Sequence, residues 1–351
     1  MLAIHIYENG YSDRWVRYCE KNDIPYQPVN IFDSDIIVRL KEQGVTLLMC
    51  NLSLTDHRNA LISREILMSV EKAGIRVFPD HDSYWHHDDK VAQKYMFEAL
   101  DIPHPRSRVF YSGKEARQWL SAASYPLVFK LRGGAGSSNV VLLKNYAHAK
   151  KYVRRMFGKG IKPSPSVLND YRTRLRVHSK RKDTVATLKR LPGTILNIMT
   201  VNARKPREKG YFLVQEFIPG NPFDTRVFVI GERAYAFKRI ARNNDFRSSG
   251  SGEFDFDPNN VDQRAIILAF ETARKIGAQS LACDVVFDSK DRPLMLEVCY
   301  QQTAWPAHKS GGYFDSSLRY HPGAIWPEDM IMEQMMEMHR ELLQEPVRHE
   351  G

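Results

Sequence analysis

Along the first ~80 residues, short apolar runs alternate with amphipathic stretches. Residues 2–7, 45–50 and 75–78 have the length and apolar content of buried strands. Residues 15–19 and 62–67 have the spacing of helices between them. Strand and helix in alternation predict an open parallel sheet. Gly74 stands where the second helix would end. The first strand is followed by Glu8-Asn9-Gly10-Tyr11-Ser12 rather than GxGxxG, so a nicotinamide or flavin site is not expected there.

The pattern restarts near Asp88. Asp88 or Asp89 is placed to cap a helix over residues 90–100. Strands are predicted over 108–111 and 127–130, with a helix between them. A further strand, 140–143, follows the stretch Arg132-Gly133-Gly134-Ala135-Gly136-Ser137-Ser138-Asn139. From Tyr211 the chain is strand-rich: a strand over 211–218, a hairpin about Gly231-Glu232, a helix over 261–276, and a second hairpin about residues 288–292. A helix near 327–343 closes it. There is no internal repeat and no low-complexity tract.

Composition narrows the class. The chain has 351 residues, 43% hydrophobic and 26% charged, which is ordinary for a globular protein of two or three domains. No apolar run reaches the ~18–20 residues of a membrane span, and the first residues lack a basic start and long apolar core. Cys19, Cys50, Cys283 and Cys299 show no CxxC spacing, so neither a disulfide framework nor a zinc site is expected. The expectation is a soluble, cytoplasmic protein.

Charge is unevenly placed. The net charge is +10, yet residues 150–210 alone hold 18 Lys and Arg against 3 acids, leaving the rest of the chain net acidic. Gly158, Gly160, Pro163, Pro165, Pro192 and Gly193 break that stretch, which reads as a basic insertion of about 158–209. Such a patch attracts an anionic membrane surface or a polyanionic substrate; the alternative is a solvated face with no partner. It has no RNP-like or zinc-finger pattern, so a nucleic-acid partner is not expected.

Two constellations carry chemistry. Backbone N–H groups of the glycine-rich turn, through Gly133, Gly134, Gly136 and Ser137, can cradle phosphate. Lys130, ending the apolar strand before it, is placed to neutralise that charge. The turn is not a Walker A loop, since no Gly-Lys-Ser/Thr ends it. Secondly, Asp284 and Glu297 sit in two apolar runs joined by Ser289-Lys290-Asp291-Arg292, a hairpin that would bring both carboxylates to one site. Acids in buried strands need a cation, and hard oxygen donors suit Mg²⁺; the alternative is a pair of salt-bridged core acids. His81, His86 and His87 fit no helical metal pair and read as a linker between domains. Cys283 and Cys299 read as buried structural thiols. The aromatic tail 305–326 could wall an acceptor pocket or pack the lobes, and packing is the preferred reading, with Lys309 and Arg319 as substrate contacts.

At this point the chain resembles the ATP-grasp ligases, in the branch of the ribosomal-protein glutamate ligase and glutathione synthetase-like enzymes. The resemblance rests on Leu213-Val214-Gln215-Glu216-Phe217-Ile218-Pro219-Gly220, Asp224-Thr225-Arg226-Val227-Phe228-Val229-Ile230-Gly231, Asp245-Phe246-Arg247-Ser248-Ser249-Gly250 and Leu296-Glu297-Val298, with Asp89-Lys90 and Lys130 ahead of them in order. It covers roughly residues 80–305. It implies an α/β fold with α+β lobes, an ATP-grasp fold with an N-terminal parallel-sheet pre-domain. The implied units are 1–87, the pre-domain; 88–210, an A lobe with the basic insertion; and 211–351, a B lobe with an aromatic and helical tail. It further implies ATP and Mg²⁺ as cofactors. Lys90 and Lys130 would contact phosphates under the turn 133–139, Glu216 and Phe217 would hold adenine, and Asp224 would meet the ribose. Arg239 and Arg247 would act at the γ-phosphate and acyl phosphate, and Asp284 and Glu297 would hold the metal. Two positions depart from the branch: Cys299 and Ser249 stand where Asn is usual, which puts one metal position in question.

The function this implies is an ATP- and Mg²⁺-dependent carboxylate–amine ligase that forms an amide through an acyl phosphate. Its substrates would be a carboxylate, small or part of a polysaccharide precursor in envelope assembly, or a peptide, together with an amine. A peripheral membrane contact through residues 150–210 and a homodimer are left open. The rivals are a kinase that stops at phosphorylation of a carboxylate or amide, and a basic nucleic-acid- or membrane-binding module with a relic nucleotide site.

Overall fold

A computed structural model describes residues 1–7, 11–51, 57–133, 139–163, 206–241, 252–301 and 304–344. The interior of the basic segment, the centre of the glycine turn (Gly134, Gly136 and Ser137) and both Arg247 and Ser249 lie outside these residues.

Four parallel strands open the chain: β1 (Leu2–His5), β2 (Tyr26–Val29), β3 (Leu47–Met49) and β4 (Arg76–Phe78), in the order β2-β1-β3-β4. Helices α1 (Ser12–Lys21), α2 (Ile36–Glu42) and α3 (His57–Lys72) connect them. The parallel sheet expected from the alternating pattern is present. Its outer strand, β2, escaped that reading because Pro28 and polar neighbours break the apolar run; an edge position tolerates the missing N–H.

The short α4 (His81–Tyr84) leads to α5 (Lys90–Ala99). Asp89 caps α5 by accepting from the N–H groups of Val91 (3.1 Å) and Ala92 (2.9 Å). Next come β5 (Ser107–Phe110), α6 (Gly113–Ser121), β6 (Leu127–Lys130), β7 (Val140–Leu143), α7 (Tyr146–Met156) and β8 (Phe212–Glu216). The strands form an antiparallel sheet in the order β5-β8-β6-β7. β8 therefore belongs with residues before 210, although the sequence pattern groups it with the strands after 211. Its Phe212 stacks on Phe129 of β6, ring centroids 5.1 Å apart, inside a core confined to this sheet and its two helices.

The remaining strands make one seven-stranded sheet. β9 (Phe223–Ile230) and β10 (Arg233–Ile240) form the hairpin at Gly231; β11 (Phe254–Asp255) pairs with β10. α8 (Gln263–Ile276) starts on Asp262, which accepts from Arg264 N, and stops at the left-handed Gly277 (φ +75°). β12 (Ser280–Phe287) and β13 (Pro293–Cys299) form the second expected hairpin. The aromatic tail is a short helix, α9 (Ala304–Ser310), and a hairpin of β14 (Gly312–Asp315) and β15 (Tyr320–Pro322) that extends this sheet. Gly312 is required: a Cβ there would lie 2.3 Å from the His321 carbonyl oxygen. α10 (Pro327–Gln344) closes the described chain.

One face of the seven-stranded sheet packs on α8 and on Met96 and Phe97 of α5. The other shares a single core with the N-terminal sheet and α10, joining Ile4, Trp15 and Phe78 to Phe228, Tyr235 and Met335. Arg14 binds both carboxylate oxygens of Asp329 (2.7 and 2.5 Å), and the Trp15 indole donates to the Glu328 carbonyl at 3.0 Å. No described helix is long and apolar enough to cross a membrane.

Candidate active site

A small cleft lies between the four-stranded and seven-stranded sheets, lined by Lys90, Gln93, His104, Lys130, Gln215 and Leu296 among others. Each wall follows from local structure. Lys130 ends β6 and Gln215 lies on β8 beside it. Lys90 opens α5, which Gln93 clamps to β13: its Nε2 donates to the Val298 carbonyl at 2.7 Å and its Oε1 accepts from Val298 N at 3.3 Å. Across β12 and β13, Asp284 faces Glu297, but Val285 faces Met295. Leu296 is thus the extra residue of a bulge, the device that aims a side chain into the cleft.

The charged groups form one stripe over four strands. Glu297 of β13 is the register partner of Asp284 on β12, which is in turn the partner of Arg226 on β9. Asp224, two residues before Arg226 and so on the same face, is the partner of Arg239 on β10. Arg226 grips Asp284 with two bonds, Nε–Oδ1 2.6 Å and Nη2–Oδ2 2.7 Å. Arg239 grips Asp224 in the same way (2.6 Å twice) and reaches Asp284 Oδ2 at 2.7 Å. Lys90 Nζ lies 3.0 Å from Glu297 Oε1 and 3.4 Å from Asp88 Oδ1. Lys130 makes no ion pair among the described residues.

Their titration reflects this placement. Burial works against the Lys90 ammonium, but Glu297 and Asp88 outweigh it and its pKa rises. For Asp284, burial is likewise outweighed, here by Arg226 and Arg239, and its carboxyl is held well below the usual range. Asp224 goes the other way: burial overcomes Arg239 and raises it. Lys130 is pulled down to about 8, by burial first and by the Lys90 charge, against the pull of Glu297 and Asp284.

Of the side chains expected to act together, Lys90, Lys130, Asp224, Arg239, Asp284 and Glu297 are gathered at this cleft and stripe. Gly133 stands at the start of the glycine turn, and Glu216 ends β8 with Phe217 following it. Two placements differ from expectation. Asp224 was expected to meet a ribose, yet both its oxygens accept from Arg239. The histidine linker is packed structure: His86 is buried, and His87 sits edge-on to Tyr300 at 4.8 Å with Nδ1 3.4 Å from Cys299 Sγ. Burial drives His87 down to about 3 and the Cys299 thiol up to about 12, so Cys299 is no thiolate nucleophile. Arg226 is the functional side chain that sequence reasoning passed over. The alternation Asp224-Thr225-Arg226 was the signal, since it places Arg226 on the face of Asp224.

Similarity to known proteins agrees with this arrangement. Residues 195–305 match the RimK-like ATP-grasp domain. The alpha-aminoadipate–LysW ligase LysX of Saccharolobus solfataricus is 22% identical over 281 residues, 79% of this chain and 84% of that protein. The fold matches the ATP-grasp ligase PsnB, solved with minimal precursor, Mg and ADP (12% identity, TM-score 0.51, 95% of this chain and 98% of that one). It also matches the biotin carboxylase domain of the Hydrogenobacter thermophilus 2-oxoglutarate carboxylase, solved with MgADP and bicarbonate (12% identity, TM-score 0.56, 99% and 70%). Residues 195–305 thus resemble a RimK-like ATP-grasp domain, and the chain shares its fold with an ATP-grasp ligase.

Proposed function

We propose that this protein cleaves ATP to join a substrate carboxylate to an amine through an acyl phosphate, with Mg²⁺ held by Asp284 and Glu297. The placing of Lys90 and Lys130 on the cleft, with Glu297 against Lys90 and both acids acting on the Lys130 charge, carries this reading. A carboxylate is a poor electrophile; phosphorylation gives it a good leaving group, which an amine then displaces. Phosphoryl transfer asks mainly for positioning and charge neutralisation. Lys90, from the start of α5, and Lys130, from the end of β6, line the cleft to supply the latter. Arg226 and Arg239 hold fixed positive charge beside it, where an acyl phosphate would develop its negative charge.

The donor set suits the metal only in part. Asp284 and Glu297 are adjacent hard oxygen donors, while Cys299, a protonated soft thiol, is unsuited to Mg²⁺. Among the described residues no three His, Cys, Asp or Glu side chains are grouped to hold an ion. The remaining ligands would be phosphate oxygens and water. When bound, Mg²⁺ would neutralise phosphate charge. Asp284 is committed to two arginines and Glu297 to Lys90, so these cations must turn to an incoming polyanion as the carboxylates accept the ion.

The acceptor is proposed to be anionic and peptide-like. The basic stretch 150–210 favours a carboxylate-rich chain, and PsnB is described in complex with a precursor peptide. Adding acidic peptides with free amino acids should stimulate ADP and phosphate release in step with a new amide. Turnover giving a stable phosphorylated product and no amide would make the protein a kinase instead.

Lys130 gives the cleft a pH dependence. With its pKa at about 8, it is charged below that pH and neutral above it. Affinity for ATP should be level from pH 6.5 to 8 and then fall by up to about tenfold per unit as binding must take up a proton. Lys130→Arg, charged throughout, should abolish the break. The fold responds in the opposite sense: the unfolded chain holds this proton up to its ordinary pKa of 10.5. Stability from this group is therefore gained as pH rises from about 8 towards 10.5.

A further inference from the structure

Glu208 has no part in the chemistry above. Within residues 150–210, which carry 18 bases, it is the one acid among the described residues. Its backbone exchanges two hydrogen bonds with Ile161, each 2.9 Å, so it fixes the point where the chain returns from the basic segment. Its side chain does something else. Oε2 accepts from the Tyr211 hydroxyl and from Arg132 N at 3.0 Å, an N–H it shares with the Tyr211 oxygen at 2.6 Å, and Oε1 accepts from Gly133 N at 3.2 Å.

Two successive peptide N–H groups on one carboxylate form an anion nest. Because the two oxygens have fixed spacing, they set the planes of both peptides. These are the first two N–H groups of the glycine turn, two and three residues after Lys130. The neighbouring bonds lock the same place: Arg132 O accepts from Lys90 N at 2.9 Å, and Arg132 Nε binds Asp89 Oδ2, the cap of α5, at 2.6 Å. Asn139 Nδ2 donates to Gly133 O at 3.1 Å, tying the end of the turn to its start. The acid therefore fixes the Arg132 peptide, whose carbonyl holds Lys90 N, and so the spacing between the strand end at Lys130 and the start of α5 at Lys90.

We propose that Glu208 is a positioning residue for the phosphate end of the nucleotide, acting through the peptide groups of Arg132 and Gly133. The inference rests on the nucleotide reading of the cleft. Glutamine at this site has one acceptor oxygen and an NH₂ group, so it can satisfy one side of the nest and must oppose the other.

The test measures binding of the Mg²⁺ complex of a non-hydrolysable ATP analogue, together with amide hydrogen exchange of the ligand-free protein. Glu208→Gln is expected to weaken the analogue by about tenfold and to speed exchange at Arg132 and Gly133 by a similar factor, the scale of one charged hydrogen bond. Exchange in β5, β6, β7 and β8 should stay as in the wild type. Tyr211→Phe, which keeps the carboxylate, should show a smaller loss in the same direction, and Glu208→Asp should recover part of the affinity. Unchanged affinity overturns the proposal. So does faster exchange throughout the four-stranded sheet, which marks a merely structural role. Tighter binding also overturns it, since Glu208 would then be a competitor of phosphate. If the wild-type protein fails to bind the analogue, it is the nucleotide reading itself that falls.

Discussion

Arg239→Ala should lower the free energy of unfolding by about 3–5 kcal/mol, seen as a fall in the urea midpoint at constant slope, and should abolish turnover. The arginine is 5% exposed and makes three charged hydrogen bonds to two buried acids. Without it, Asp224 loses its two hydrogen-bonded ion-pair contacts and keeps only the more distant charge of Arg226, and Asp284 keeps only Arg226. Burial already raises Asp224, so the variant should raise it further. Pairing the change with Asp224→Asn should recover part of the stability and none of the activity. Full recovery of both would show that the stripe is an ordinary core ion pair.

Lys130→Ala should do the reverse. Turnover of ATP should fall by about 10²–10³-fold, the usual loss on removing a charge that meets a developing anion. The fold should hold or gain stability, because the ammonium is disfavoured where it stands, as its lowered pKa of about 8 records. Steady-state ADP release and the urea midpoint, measured on the same preparation, check both halves. Undiminished ADP release would remove Lys130 from the site; a large loss of stability would mean that the activity measurement reports on unfolding.

How much of this could be read in advance depended on sequence distance. Asp284 and Glu297 were legible as a pair because only five residues separate their strands, so the hairpin sets their register locally. Lys130 was legible because the apolar run 127–130 stops at it. Arg226 was not, since its partner Asp284 is 58 residues away on a strand whose adjacency to β9 no local pattern records. β8 illustrates the same limit. Its apolar residues fit any antiparallel neighbour, and only long-range packing against Phe129 assigns it to the four-stranded sheet. His86 and His87 were read as linker because they lack periodicity; the ring partner of His87, Tyr300, lies far along the chain. The tail 305–326 hid a helix and a hairpin because Pro306 sits inside the first and the second opens on Gly312, a place no side chain could enter.

The shared core on one side of the seven-stranded sheet has a mechanical consequence. The N-terminal sheet, the seven-stranded sheet, α10 and α5 are welded through continuous apolar contact, whereas the four-stranded sheet keeps a core of its own. The two jaws are unequal: a heavy anvil bearing Lys90 and the acid pair, and a lighter hammer bearing Lys130. A covalent staple across the gap between them would freeze the stroke, trapping whatever nucleotide was already seated and barring any that was not.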